Sequence, residues 1–189
     1  YGRDVWVAHT ADDQAETLIL GALRGNPSGM APHAGRVVRP FLGVRRADTV
    51  GACEELGLTP WHDPMNADPA FRRVAVRTQV VPLLSKLLGG DAVPALAATA
   101  GRIAADHALI ASLADLSPTT SCEELARDAG PVRRRRLAAW LVGEGVPVQG
   151  DQLDAVEALV ADWHGQGPVA VAGGLAVVRE GGRLGILRF

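Results

Sequence analysis

A short apolar run from Val5 to Ala8 stops at His9, and Thr10 then stands three residues ahead of Asp13. This juncture constrains the fold more than any other stretch, because the run fits a strand and Thr10 with Asp13 forms a capping-box-like helix start. Within the helix, Ala15, Leu18, Ile19 and Ala22 recur at i, i+3, i+4 and i+7, and Arg24 and Gly25 close its basic end. A strand, a turn and a helix in that order predict an α/β domain, whose ligands gather at the carboxyl end of the strand.

Downstream, Gly25 to Gly35 reads as a loop from its Pro27, Ser28, Gly29 and Pro32. Arg36 to Leu42 reads as a strand ending in Arg39-Pro40, and Arg46 to Leu56 as a helix stopped by Gly57. Leu58 to Trp61 reads as a short edge strand, since Pro60 lacks the ladder donor. Asp68-Pro69 offers an N-cap followed by proline at the first helical position, and that helix runs to about Leu88 with a kink or break at Pro82. Gly89-Gly90 is the best linker. Helices over about Ala92 to Leu113, Val132 to Leu141 and Gln152 to Trp163 follow. Three strands, Val169 to Ala172, Leu175 to Arg179 and Arg183 to Arg188, are separated by Gly173-Gly174 and Gly181-Gly182, the residue pairs of tight hairpins. The expected architecture is the remnant of a parallel-sheet α/β domain over residues 1–67, a connector helix over 68–90, and a mainly helical domain over 91–189 ending in an antiparallel β-hairpin meander.

Three clusters carry candidate chemistry. Asp12, Asp13 and Glu16 crowd the first turns of one helix, with His9 at the end of the preceding strand. Acids complement a helix N-terminus, but three at once exceed that need and suit a cation, either Mg²⁺ or an ammonium group. Arg73 and Arg77 are one helical turn apart and share a face, the spacing of a phosphate or carboxylate clamp or of a solvated face. Arg133 to Arg136 form a run of which at most two residues face one phosphate track; a solvated helix face is the simpler reading. The formal net charge of -2 gives the molecule no overall attraction for nucleic acid, so any RNA contact uses a local patch. Of the 19 basic residues only Lys86 is a lysine; arginine favours bidentate anion contacts, and a GC-rich coding sequence accounts for the bias equally well. Cys53 and Cys122 have no partners at disulfide or zinc spacing, which fits a reducing cytoplasm. The longest mostly apolar stretch, Val169 to Val178, is about half the length needed to cross a bilayer.

The string His9-Thr-Ala-Asp-Asp-Gln-Ala-Glu-Thr17 resembles the HxxDDQxET motif of the N-type ATP pyrophosphatase (PP-loop) enzymes, in particular the tRNA(Ile)-lysidine synthetase family. Three further blocks agree in order: Leu23-Arg24-Gly25, Arg39-Pro40-Phe41-Leu42, and Asp63-Pro64-x-Asn66-x-Asp68 followed by Phe71, Arg73, Arg77 and Pro82-Leu83. The resemblance implies an adenine nucleotide alpha hydrolase-like domain and a helical tRNA-binding domain. It implies a cytoplasmic ligase that activates a cytidine of tRNA(Ile) bearing a CAU anticodon with ATP, joins L-lysine to it and releases AMP and pyrophosphate, with Mg²⁺ as cofactor. Asp13, Glu16, His9, Arg73 and Arg77 would be catalytic, with Asp13 and Glu16 holding the incoming ammonium; Asp12, Arg24, Arg39, Asp63, Asn66, Arg133 and Arg134 would bind substrates. A homodimer is open to it.

The chain departs from the family pattern. It has no SGGxDS-type phosphate loop, it opens at Tyr1 directly in a strand pattern as though cut from something longer, and Val74 stands where the family often has Asn. As given, the polypeptide is expected not to bind ATP well or to turn over alone. A tRNA thiolation enzyme is the rival within the superfamily, weakened by the lack of paired cysteines. A non-catalytic RNA-binding module is the rival outside it, weakened by the net charge and the lack of stacking aromatics.

Overall fold

The first strand, β1 (Val5–Trp6), pairs in parallel with β3 (Val37–Val38), and β3 pairs antiparallel with β2 (His33–Ala34), giving the order β1-β3-β2. The computed structural model describes residues 2–148 and 150–188. The Val5 amide donates to the Arg36 carbonyl at 2.8 Å and the Val7 amide to the Val38 carbonyl at 3.0 Å, fixing the parallel register. Helix α1 (Ala11–Ala22) follows as expected: the Asp13 carboxylate accepts from both the amide and the hydroxyl of Thr10 at 2.8 Å. The expected loop over residues 25–35 contains β2, and the expected strand over residues 36–42 shrinks to β3, because Pro40 ends the ladder. Helix α2 (Arg46–Glu55) forms as read, but residues 58–61 make no strand: Pro60 lacks a donor and Leu58 and Trp61 lie exposed.

The segment after Asp63 differs most from expectation. Asp63 caps a 3₁₀ turn, Pro64–Ala67, and Asp68 accepts from the Ala70 amide at 2.9 Å, a local turn that uses up its capping oxygen. Helix α3 (Arg72–Ala75) therefore starts three residues later than a cap at Asp68 implies, with Phe71 as N-cap. It widens into a π-helical stretch, Val76–Val80, before α4 (Val81–Leu88). The widening sits where Pro82 removes a donor and crowds the preceding turn, so the break falls just N-terminal to it. Gly89 ends α4 in the left-handed conformation at φ 72°, and the Gly89 and Gly90 amides bond the Lys86 and Ser85 carbonyls. That pair is thus a helix cap.

Helix α5 (Val93–Leu113) contains the actual division, since the chain forms two compact units over residues 1–107 and 108–189. The expected boundary at residue 91 moves because Val93, with Leu96 and Ala97, packs against Ala11 and Ala15 of α1. In the second unit α6 (Cys122–Arg127), unforeseen from sequence, joins α7 (Gly130–Gly143) and α8 (Gly150–Ala161). These helices pack against a meander of β4 (Val169–Val171), β5 (Leu175–Glu180) and β6 (Arg183–Arg188), in the order β4-β5-β6 and antiparallel throughout. Both hairpin turns carry the expected glycine pairs at positive φ, which no L side chain adopts cheaply. Leucine and valine fill this core, including Leu137, Leu141, Val156, Leu159 and Val177, with Trp140 as its one large aromatic among the buried residues. Among the described residues no single helix is long and apolar enough to cross a membrane.

Candidate functional site

The N-terminal end of α1 gathers almost every polar residue of the motif into defined contacts. Gln14 is buried and clamps the loop before β2: its Nε2 donates to the Met30 carbonyl at 2.8 Å and its Oε1 accepts from the Met30 amide at 2.7 Å. Asp12 accepts from the Arg46 amide at 2.7 Å and from the Arg45 guanidinium at 3.1 and 3.2 Å. Arg46 reaches Asp13 at 3.0 Å and Glu16 at 3.1 Å. Glu16, only 1% exposed, is the centre of the group. Arg77 holds both its oxygens, at 2.7 and 3.2 Å, and Arg73 joins at 3.1 Å while donating to the Thr17 hydroxyl at 2.6 Å.

The structure thus brings together five residues singled out in the sequence, Asp12, Asp13, Glu16, Arg73 and Arg77, and adds two that were missed, Arg45 and Arg46. A signal for the missed pair existed: two arginines at the start of a helix oppose its dipole, which calls for acidic partners from elsewhere. Asp91, on the connection between α4 and α5, also pairs with Arg45. Four carboxylates, Asp12, Asp13, Glu16 and Asp91, therefore face four guanidiniums, Arg45, Arg46, Arg73 and Arg77, and the group is balanced in charge.

The electrostatics follow the geometry. Burial alone raises the Asp12 pKa, but the hydrogen bonds from Arg45 and the Arg46 amide, with both guanidinium charges, outweigh it and hold the carboxyl below its ordinary value. Burial likewise opposes Asp13, and the Thr10 amide and hydroxyl with Arg46 and Arg73 bring its pKa below the usual range. The Glu16 hydrogen bond raises Arg77, so that guanidinium is permanently charged. A divalent cation does not fit this set. Each acid already accepts from a guanidinium, and among the described residues no three His, Cys, Asp or Glu side chains converge on a metal position.

Arg73 and Arg77 also line a cavity of about 210 Å³ with Asn66, Met65, Phe71 and Val74. It is smaller than the roughly 300–1,000 Å³ of drug-sized ligand sites and matches one small group. Val74, where an amide side chain was the family expectation, is buried at this wall. The remaining assigned residues lie outside this contact network. His9 has a buried Nδ1 without a partner. Arg24 is exposed beyond the end of α1, Arg39 donates to the Ala31 carbonyl at 3.0 Å, and Asp63 accepts from the Met65 amide.

In the second unit the arginine run turns inward to its own fold. Arg133 donates to Glu157 at 2.8 Å, Arg134 to Asp154 and Glu157, and Arg136 to Asp128 and Glu124. Arg135 donates to the Pro131 carbonyl at 2.7 Å. Three of the four charges are thereby matched by carboxylates of this unit, and Arg133 and Arg134 tie α7 to α8.

Two family models match this chain, a PP-loop domain over residues 3–84 and a TilS substrate binding domain over residues 121–185. A tRNA(Ile)-lysidine synthase of Corynebacterium diphtheriae is 54% identical over 183 residues, covering 96% of this chain and 61% of that protein. The enzyme of the same description from Corynebacterium glutamicum is 50% identical over 199 residues (97% and 62%), and that of Nocardia farcinica 45% over 204 (99% and 64%). The chain spans about three fifths of the length of these curated relatives. Two domain models in this order, and the HxxDDQxET string held in the described contacts, make the chain similar to the tRNA(Ile)-lysidine synthases over these residues.

Proposed function

We propose that the protein to which this chain belongs is an ATP-dependent ligase that joins L-lysine to the wobble cytidine of tRNA(Ile) with a CAU anticodon. The cytidine is adenylated, and the lysine amine displaces AMP. The observation that carries this reading is the Glu16 cluster, in which the motif helix α1 locks Arg73 and Arg77 beside the small cavity that also holds Asn66. A tRNA substrate puts the reaction in the cytoplasm. The parallel β1–β3 pair is read as one edge of a larger parallel nucleotide-binding sheet, and residues 108–188 as the tRNA-binding side.

On this reading the acids and the arginines of the site divide the work. An incoming ammonium would have to displace a guanidinium from Asp13 or Glu16, so these acids act as positioning residues for Arg46, Arg73 and Arg77. The fixed guanidiniums then stabilise an anion at the cavity, either the phosphate of the departing AMP or the carboxylate of lysine. Asn66 lines the same cavity and supplies amide hydrogen bonds, Asp63 and Arg39 shape the flanking loops, and Arg24 lies on the exposed rim for an RNA contact. His9, whose Nδ1 is buried without a partner among the described residues, keeps the catalytic place that the resemblance gives it. ATP supplies the activating adenylyl group. Mg²⁺ finds no site among the described residues and enters no step. The thiolation alternative loses ground because Cys53 and Cys122 are both free and belong to different compact units.

In the complete enzyme, R73A and R77A are expected to lower lysine incorporation by at least tenfold each while tRNA binding persists. Adenylate formation, measured separately as ATP-pyrophosphate exchange, tells which anion the arginines hold. Normal lysine incorporation by both variants would sink the reading.

A further inference from the structure

The second unit holds a cavity of about 490 Å³ between the start of α6 and the β5–β6 turn, and its walls include Ser121, Cys122, Arg179 and Arg183. Its volume lies within the roughly 300–1,000 Å³ that ligand sites occupy. Its two arginines, like Arg135 but unlike the other arginines named next, have only neutral partners among the described residues. Arg127, Arg133, Arg134 and Arg136 of this unit all pair with carboxylates. Arg179 instead donates to the Leu159 carbonyl at 2.8 Å and lies over the Trp163 ring at 4.9 Å, and Arg183 donates to the Thr120 hydroxyl at 3.2 Å.

Neutral partners aim a guanidinium without cancelling its charge, and each arginine keeps most of its five N–H donors unspent. Glu180 is the register partner of Arg183 across the hairpin, yet neither it nor any other carboxylate among the described residues forms an ion pair with Arg183 or Arg179. Glu123 is the one acid on the cavity wall, and it is engaged by Arg127. The Cys122 thiol on the same wall is pushed up by burial, against the pull of Arg179, so it stays neutral and adds no negative charge. The result is a cavity whose wall carries two guanidiniums without a carboxylate partner among the described residues, against one acid, Glu123, that is paired elsewhere.

We propose that this cavity is a phosphate-binding site in which Arg179 and Arg183 together grip one phosphate group, supplied by the backbone of the bound RNA or by a free nucleotide. The RNA source rests on the tRNA-ligase reading above; the pocket chemistry does not. This assigns the RNA-facing charge of the unit to the hairpin meander and away from the arginine run of α7.

The test uses the complete enzyme and compares wild type, R179Q/R183Q and R179K/R183K. Labelled tRNA binding is followed from about 50 to 200 mM salt, and AMP and inorganic phosphate are titrated by calorimetry. The glutamine pair is expected to lower the slope of log K against log salt by roughly 1, the loss of one phosphate contact, with the lysine pair keeping the wild-type slope. If the tRNA slope is the same in all three but the glutamine pair loses one AMP or phosphate binding site relative to wild type, the site stands and its phosphate comes from a free nucleotide. An unchanged slope together with unchanged AMP and phosphate binding, in a glutamine variant whose circular dichroism is that of wild type, overturns the site. The ligase reading is judged independently by lysine incorporation in wild type.

Discussion

Glu16 is buried while the three guanidiniums it holds are each about 28–43% exposed, so the cost of removing its charge falls between the surface and interior limits. E16Q keeps the shape but leaves Arg46, Arg73 and Arg77 without their common counter-ion. We expect it to destabilise the first unit by about 2 kcal/mol, the figure for a broken buried pair discounted for solvent screening, read by urea denaturation followed by circular dichroism. Asp12 and Asp13 set the acid limit of the same unit. Their folded pKa values lie below the unfolded value of about 3.9, so the unfolded chain binds more protons as pH falls. Their contribution is complete above that value and is lost as pH drops through the lowered folded ones. The midpoint of thermal unfolding of the first unit should therefore be flat from pH 7 to about 5 and decline below about 4, with D12N showing a shallower decline. At this scale the acids and the Arg73/Arg77 pair were legible from spacing alone. Their mutual pairing was not, because Glu16 and Arg77 are separated by 61 positions and no local pattern encodes such a contact.

Elements depend on close approaches that a side-chain census misses. Gly29, in the loop clamped by Gln14, lies so near α5 that an added Cβ would stand 1.9 Å from the Ala100 carbonyl oxygen and 2.5 Å from its carbon. Both are helix backbone atoms that cannot swing aside, so G29A should cost about 1–3 kcal/mol, measured as a shift in the denaturation midpoint of the first unit. Between α7 and α8 the Arg133–Glu157 pair is largely shielded, at 15% and 16% exposure. R133A should accordingly destabilise the second unit by about 1–3 kcal/mol, while R135A, which removes no ion pair, should stay within about 0.5 kcal/mol. The hairpin meander was readable in full because two-residue turns demand positive φ, and glycine pairs between β-rich runs announce that demand. Short elements were not: α6 has six residues and β2 two, too few for a periodicity to register. The helix start after Asp68 was misplaced because an aspartate satisfies its own local turn as readily as a helix.

Only one of the four tryptophans is buried. Trp6 and Trp61 of the first unit are 70% and 80% exposed and Trp163 of the second is 40% exposed, whereas Trp140 sits in the core of the second at 7%. Sequence periodicity gave no hint of this split, since the division inside α5 comes from which residues of one continuous helix pack on α1, and the helical pattern runs unbroken across it. Its consequence is optical. Unfolding the first unit moves its indoles from water to water and changes their emission little, while unfolding the second releases Trp140 from an apolar site and shifts its emission to the red. A chain whose first unit has been melted by E16Q or G29A should thus look native by fluorescence and half-unfolded by circular dichroism at the same denaturant concentration. Replacing Trp140 by phenylalanine should abolish most of the red shift and leave the dichroism transition of the first unit where it was, so each unit has its own spectroscopic witness within one polypeptide.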